Sequence, residues 1–114
     1  MNGNMSIQET LSANYQESRH RRSKLEICLE LLRVVASGVK KPTRIMYAVN
    51  ISWTPLVRIL KLMVSKGFIR KIEAKDNKQS TYYYEITQSG LKVLNYFDRE
   101  KEFLKLMEST SNNA

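Results

Sequence analysis

A chain of 114 residues, 42% of them hydrophobic, has room for one domain with a small core, and a core of that size gains from a partner subunit. Nineteen lysines and arginines against eleven acids give a formal charge of +8; a pI near 9.7 points to a polyanionic partner, nucleic acid first. A single cysteine excludes an internal disulfide, a single histidine excludes a histidine-based metal cluster or triad, and no apolar run approaches a membrane span.

The charge is unevenly placed. Residues 1–18 carry Glu9 and Glu17 and no base, and residues 19–33 hold five bases against two acids. Residues 40–78 hold ten bases against Glu73 and Asp76, while residues 79–114 hold four bases and five acids. The middle third accounts for the whole excess. A solvated basic face is common on small proteins, but here the excess coincides with a paired-helix corner, and the coincidence favours binding.

In chain order, residues 1–18 have few apolar side chains and no sustained periodicity. They predict an unstructured or weakly helical extension with no signal-peptide character, so a soluble, cytoplasmic protein is expected. Arg19, His20, Arg21 and Arg22 follow. A basic arm along a DNA backbone and a solvated helix start account for these arginines equally well. Residues 24–37 have a helical pattern, with Ser23 as N-cap and Gly38 as stop. Leu25, Cys28, Leu29, Leu32 and Val35 line one face; Ile27, Leu31 and Val34 line a second. A helix apolar on two sides is covered on two sides, here by the core and by another long helix from this chain or a second one. Cys28 in that stripe reads as a buried, inert thiol.

Residues 43–64 read as two short helices around a tight turn at Asn50 and Ile51. Pro42 or Thr43 begins the first, with Ile45, Ala48 and Val49 at helical spacing; Leu56, Ile59, Leu60 and Met63 give the second its apolar face. Asn50 tolerates the left-handed backbone that ends a helix, and Ile51 plugs the corner. Either Ser52 or Thr54 caps the helix that follows. Pro55 must lie in its first turn, where no intrahelical donor is lost. This is a helix-turn-helix. Thr54, Arg58 and Lys61 face outward on the second helix and suit phosphates and base edges. Thr43 and Arg44 stand at a helix N-terminus, which favours a phosphate. Trp53 is expected to pack under the turn rather than lie on a backbone.

Gly67 stops the second helix. Residues 68–74 and 81–87 read as strands around a polar turn at 75–80 that carries Lys75 and Lys78. Tyr82, Tyr84 and Ile86 alternate on one face; cross-strand packing is the expected use of the tyrosines, ahead of base stacking. Thr87 caps a last helix over 88–107. Leu91, Leu94, Phe97 and Leu104 line one side of it, interrupted by Lys101, beside a stripe of Tyr96, Phe103 and Met107. That helix exceeds the needs of a small core, so its outer half is assigned to dimer contacts.

Thr43-Arg44-Ile45-Met46-Tyr47, Asn50-Ile51-Ser52, Lys66-Gly67-Phe68-Ile69 and the run from Ile86-Thr87 to Gly90 carry a further signal. Over residues 22–97 the chain resembles a group of small archaeal winged-helix proteins. The group includes the ten-kilodalton "10a"-type chromatin proteins and the archaellum-regulator-like winged-helix domains. The resemblance implies a winged helix whose C-terminal helix pairs in a dimer, with two recognition helices facing one duplex. It carries DNA contact over to Thr43, Arg44, Ser52, Trp53 and Thr54, and to Arg58 and Lys61. The chain departs from the group in a shorter C-terminal helix, in Pro55 where a polar residue is usual, and in its N-terminal extension.

The expectation is therefore a mainly α (α+β) chain. It comprises an extension over 1–18, a winged helix-turn-helix over 19–87, a dimerisation helix over 88–108 and a frayed tail over 109–114. The expected function is double-stranded DNA binding by a nucleoid-associated homodimer, either a transcription regulator or a chromatin-type architectural protein. Helix 52–64 would enter the major groove, with Lys75 and Lys78 on flanking phosphates and Arg19, Arg21 and Arg22 as a backbone arm. Ile27, Leu31, Val34, Leu94, Phe97 and Leu104 would form the dimer interface. No cofactor, metal, membrane or small-molecule substrate is expected. Nor is an enzyme, since the carboxylates are scattered and no glycine-rich phosphate loop exists. The alternative is a winged-helix protein-docking module, disfavoured by the charge density of residues 40–78.

Overall fold

The computed structural model describes residues 21–76 and 79–113. The elements are α1 (Lys24–Ala36), α2 (Pro42–Val49), α3 (Trp53–Ser65), β1 (Ile69–Asp76), β2 (Gln79–Ile86) and α4 (Gln88–Asn113). The strands form one antiparallel hairpin. Three helices, a hairpin wing and a long C-terminal helix make a winged helix-turn-helix, as the residue pattern predicts. The extension expected over 1–18 and Arg19, His20 and Lys78 lie outside the described residues.

Helix α1 starts on a reciprocal cap. The Glu26 N–H donates to Ser23 Oγ at 3.1 Å, and the Ser23 N–H donates to the Glu26 carboxylate at 3.4 Å. The helix is central, packed against α2, β2 and α4. Cys28, Leu29, Leu31, Leu32 and Val35 are buried, and Ile27 and Val34 half-buried. Both apolar faces are thus covered mainly from within the chain, α4 supplying the second long helix. This corrects two expected dimer residues. Leu31 is 0% exposed and Leu94 6% exposed, so both belong to the monomer's own core and offer a second copy no surface. With Leu31, the side chains of Leu32, Ile45, Val49, Leu56 and Ile69 close that core, each contributing about 1.5–3 kcal/mol by burial.

The corner between α2 and α3 forms as its residues dictate. Asn50 adopts φ 61°, and its N–H and that of Ile51 both reach the Met46 carbonyl, at 2.9 and 3.3 Å. Ser52, not Thr54, occupies the N-cap of α3. At the far end of α3, Gly67 has φ 78°. Its N–H donates to Val64 O and that of Phe68 to Met63 O, at 3.0 and 2.9 Å. This Schellman turn feeds the chain into β1.

The hairpin pairs Ile69 with Ile86 through to Asp76 with Gln79. The ladder therefore runs further towards the tip than expected, and Lys75 stands opposite Ser80 within it. Residues 75–76 and 79–80 show no apolar alternation, the signal from which strand ends are read, yet their backbones pair. The other edge of β2 is held where the Tyr84 N–H donates to Lys40 O at 3.0 Å.

Thr87 joins wing to α4. Its hydroxyl accepts from the Gly90 N–H at 3.1 Å and donates to Gly67 O at 2.6 Å. A Cβ on Gly90 would lie 2.2 Å from the Phe68 carbonyl oxygen, so any side chain there forces the backbone of the wing or of the helix start to shift. Arg33 of α1 pairs with Asp98 of α4 at 2.9 Å. From Asp98 to Ser109 every side chain of α4 is exposed. The helix continues to Asn113, past the tail boundary expected at 109, because no glycine or proline follows Gly90 to stop it. Among the described residues no helix is long and apolar enough to cross a membrane.

Candidate nucleic-acid interface

The two sides of α3 are sharply sorted. Leu56, Ile59, Leu60 and Met63 are buried, while Trp53, Thr54, Arg58 and Lys61 are exposed. Thr54, Arg58 and Lys61 follow one another at spacings of four and three, so they form one row on the helix surface. Thr43 and Arg44 are exposed in the first turn of α2, which begins on Pro42 without a side-chain cap. Ser52 makes no side-chain capping bond either, so both helix starts keep their positive dipole ends free of a capping hydroxyl. Tyr47, one turn beyond Thr43 on α2, is 78% exposed. Its position off the Ile45–Val49 face is the signal in the sequence that turns it outward.

Charge pairing isolates this surface. Among the described residues the ion pairs are Arg22–Glu30, Arg33–Asp98, Lys40–Glu85 at 3.0 Å and Arg70–Glu85 at 3.6 Å. None involves Arg44, Arg58, Lys61 or Lys75. Residues 40–66 contain six bases and no acid. A field of one sign lies over α3 and the start of α2, with little local cancellation.

Arg22 is placed differently from its neighbours in the basic run. It is half-buried, ion-paired with Glu30, and donates to the carbonyls of Val49 at 2.6 Å and Asn50 at 2.9 Å. It satisfies the C-terminal carbonyls of α2 and ties the helix corner to α1. Arg21 is exposed, and Arg19 lies outside the described residues. On the wing, Lys75 is exposed and Lys71 sits with Nζ 4.2 Å from the Tyr82 ring centroid. Tyr84 is buried, which pushes its phenol above the usual range, with Tyr82 adding to the effect. Burial likewise raises the Cys28 thiol, against the opposing pull of Lys24, as suits a thiol with no chemical role. Among the described residues no cluster of three or more histidine, cysteine or acidic side chains could hold a metal.

Of the residues expected at a dimer interface, Ile27, Val34 and Phe97 are half-buried against the core, and Leu104 is exposed. Phe97 meets Tyr96 edge-on at 5.2 Å. The open apolar surface is larger on the outer half of α4, where Phe103 and Met107 join Leu104.

Known proteins place this architecture. The chain is 34% identical over 90 residues to uncharacterized protein MJ0287 of Methanocaldococcus jannaschii, covering 78% of this chain and 84% of that one. A PadR family transcription regulator of Clostridium difficile R20291 superposes with a TM-score of 0.62 at 19% identity, over 74% of this chain and 95% of the other. FabT of Streptococcus pneumoniae, solved in complex with DNA, superposes with a TM-score of 0.60 at 14% identity, over 90% and 80% of the two chains. At those identities the two solved structures speak for the fold. The winged helix-turn-helix family model matches residues 21–105, and the chain belongs to that family.

Proposed function

We propose that the protein binds double-stranded DNA as a homodimer and acts as a transcription regulator. The observation that carries the reading is the exposed row Thr54, Arg58 and Lys61 on α3, next to Thr43 and Arg44, on a surface where no acid among the described residues pairs these bases. In this reading α3 lies in the major groove, Thr43 and Arg44 anchor a phosphate at the start of α2, and Lys75 and Lys78 reach flanking phosphates. Ser52, Trp53 and Arg21 lie at the margins of the same contact. The reading is supported by a structural neighbour solved with DNA and another that is a transcription regulator. The protein acts by binding rather than as an enzyme.

The second copy seats on the outer half of α4. Phe103, Leu104 and Met107 are exposed there, and a helix of 26 residues is about 39 Å long. Pairing two such helices buries these side chains and sets two α3 helices on one duplex, with half-sites about 34–36 Å apart. A chromatin-type architectural role on the nucleoid, as in the 10a-type archaeal proteins, uses the same surface without sequence preference. Fluorescence anisotropy with a labelled random duplex of about 30 base pairs tests the proposal. Saturable binding at low salt by a species of twice the chain mass is expected. No binding at low salt would refute it and leave protein docking as the use of the wing.

A further inference from the structure

Alongside the recognition helix lies a feature that DNA contact does not use up. A groove of about 360 Å³ opens between α3 and the inward face of the hairpin. Buried Leu60 and Tyr84 and half-buried Val57 and Val64 give it apolar walls; exposed Trp53 and Tyr82 flank it. Among the described residues its lining holds two lysines, Lys61 and Lys71, and no acid. Lys71 is already placed: it stands opposite Tyr84 in the hairpin register, with its ammonium held over the Tyr82 ring. We propose that this groove binds a small organic anion with an apolar body, of the medium-chain or aromatic carboxylate class. The charge of the lining selects the occupant: an apolar body removes Trp53, Val57 and Tyr82 from water, while the carboxylate meets Lys71 and Lys61 without an acid to repel it. The volume lies at the small end of ligand sites, which fits a metabolite-sized acid rather than a peptide.

Because Trp53 and Lys61 also belong to the DNA-facing surface, an occupied groove competes with the duplex; this consequence rests on the proposed function, whereas the site itself does not. The only tryptophan of the chain lines the groove, so binding reads directly in its emission. Full-length protein is titrated, without DNA, with decanoate and with decan-1-ol below their aggregation limits. The expected result is saturable change of Trp53 emission with decanoate, about five- to tenfold tighter than with the alcohol. Lys71→Met weakens decanoate and narrows that preference, Lys61 keeping the remainder, and leaves the alcohol unchanged, which a merely structural role for Lys71 would not do. Emission that does not saturate, equal affinity for acid and alcohol, or equal loss of both in Lys71→Met overturns the site. In a second arm, saturating decanoate weakens duplex binding severalfold; simultaneous full binding of both overturns the competition. A protein that takes decanoate but no duplex refutes the DNA reading and keeps the groove.

Discussion

Removing the Arg22 guanidinium separates architecture from DNA contact within one basic run. In Arg22→Met the aliphatic stem stays, but two backbone carbonyls at the end of α2 and the Glu30 carboxylate lose their donor. A hydrogen bond to a charged group contributes about 1.5–3 kcal/mol when buried. The Arg22 side chain is 27% exposed and that of Glu30 39%, so water replaces part of what is lost, and the ion pair adds little at that exposure. A net cost of about 2 kcal/mol follows, and for a domain of this size the melting temperature should fall by on the order of 10 °C. Thermal unfolding followed by circular dichroism measures this. Duplex affinity at a temperature where the variant is folded should change less than twofold. Unaltered melting together with clearly weaker duplex binding would refute the reasoning, because Arg22 would then act on DNA and not on the helix corner.

Gly90→Ala should destabilise the fold by about 1–3 kcal/mol despite the better helix propensity of alanine, since the new methyl collides with the Phe68 carbonyl; chemical denaturation checks it, and a gain in stability would contradict the close approach. Leu104→Glu together with Phe103→Glu should convert the dimer to a 13.3 kDa species in sedimentation with the melting of the winged domain little changed, because both side chains are exposed in the monomer; a dimer that persists would place the interface elsewhere. Burial raises the Cys28 thiol above its unfolded value. Its contribution to stability is therefore complete below the ordinary thiol value of 9.0 and is lost as pH rises through the higher folded value. Denaturation midpoints measured from pH 7 to 10.5 should fall more steeply for the parent than for Cys28→Ala, and parallel curves would contradict that.

The helix corner was readable because its residues are locally decisive. Asn50 at the left-handed position, Pro55 in the first turn of α3 and Gly67 at its end each fix one backbone step, and the periodicity of residues 43–64 sets which side is buried. The hairpin tip was harder, since Lys75, Asp76, Gln79 and Ser80 pair through backbone atoms that leave no trace in side-chain pattern. The covering of α1 was also out of reach. Two apolar faces announce two neighbours but not whose they are, and here α4 of the same chain takes Leu31 and Leu94 into the core. Arg22 illustrates the limit for charge: its sequence neighbours suggest a solvated arm, and only the fold brings the Val49 and Asn50 carbonyls to it. The groove beside α3 arises from residues on four elements, Pro42 of α2 among them, so no linear motif marks it.

The central claim is that Arg58 and Lys61 face a nucleic-acid backbone. Its most direct test is the salt dependence of duplex affinity for the parent and for the Arg58→Ala, Lys61→Ala double variant. Plotted as log K against log salt, the variant's slope should flatten by about 1.8 per subunit, with melting unchanged because both side chains are exposed. Identical slopes and affinities for the two proteins would contradict the account.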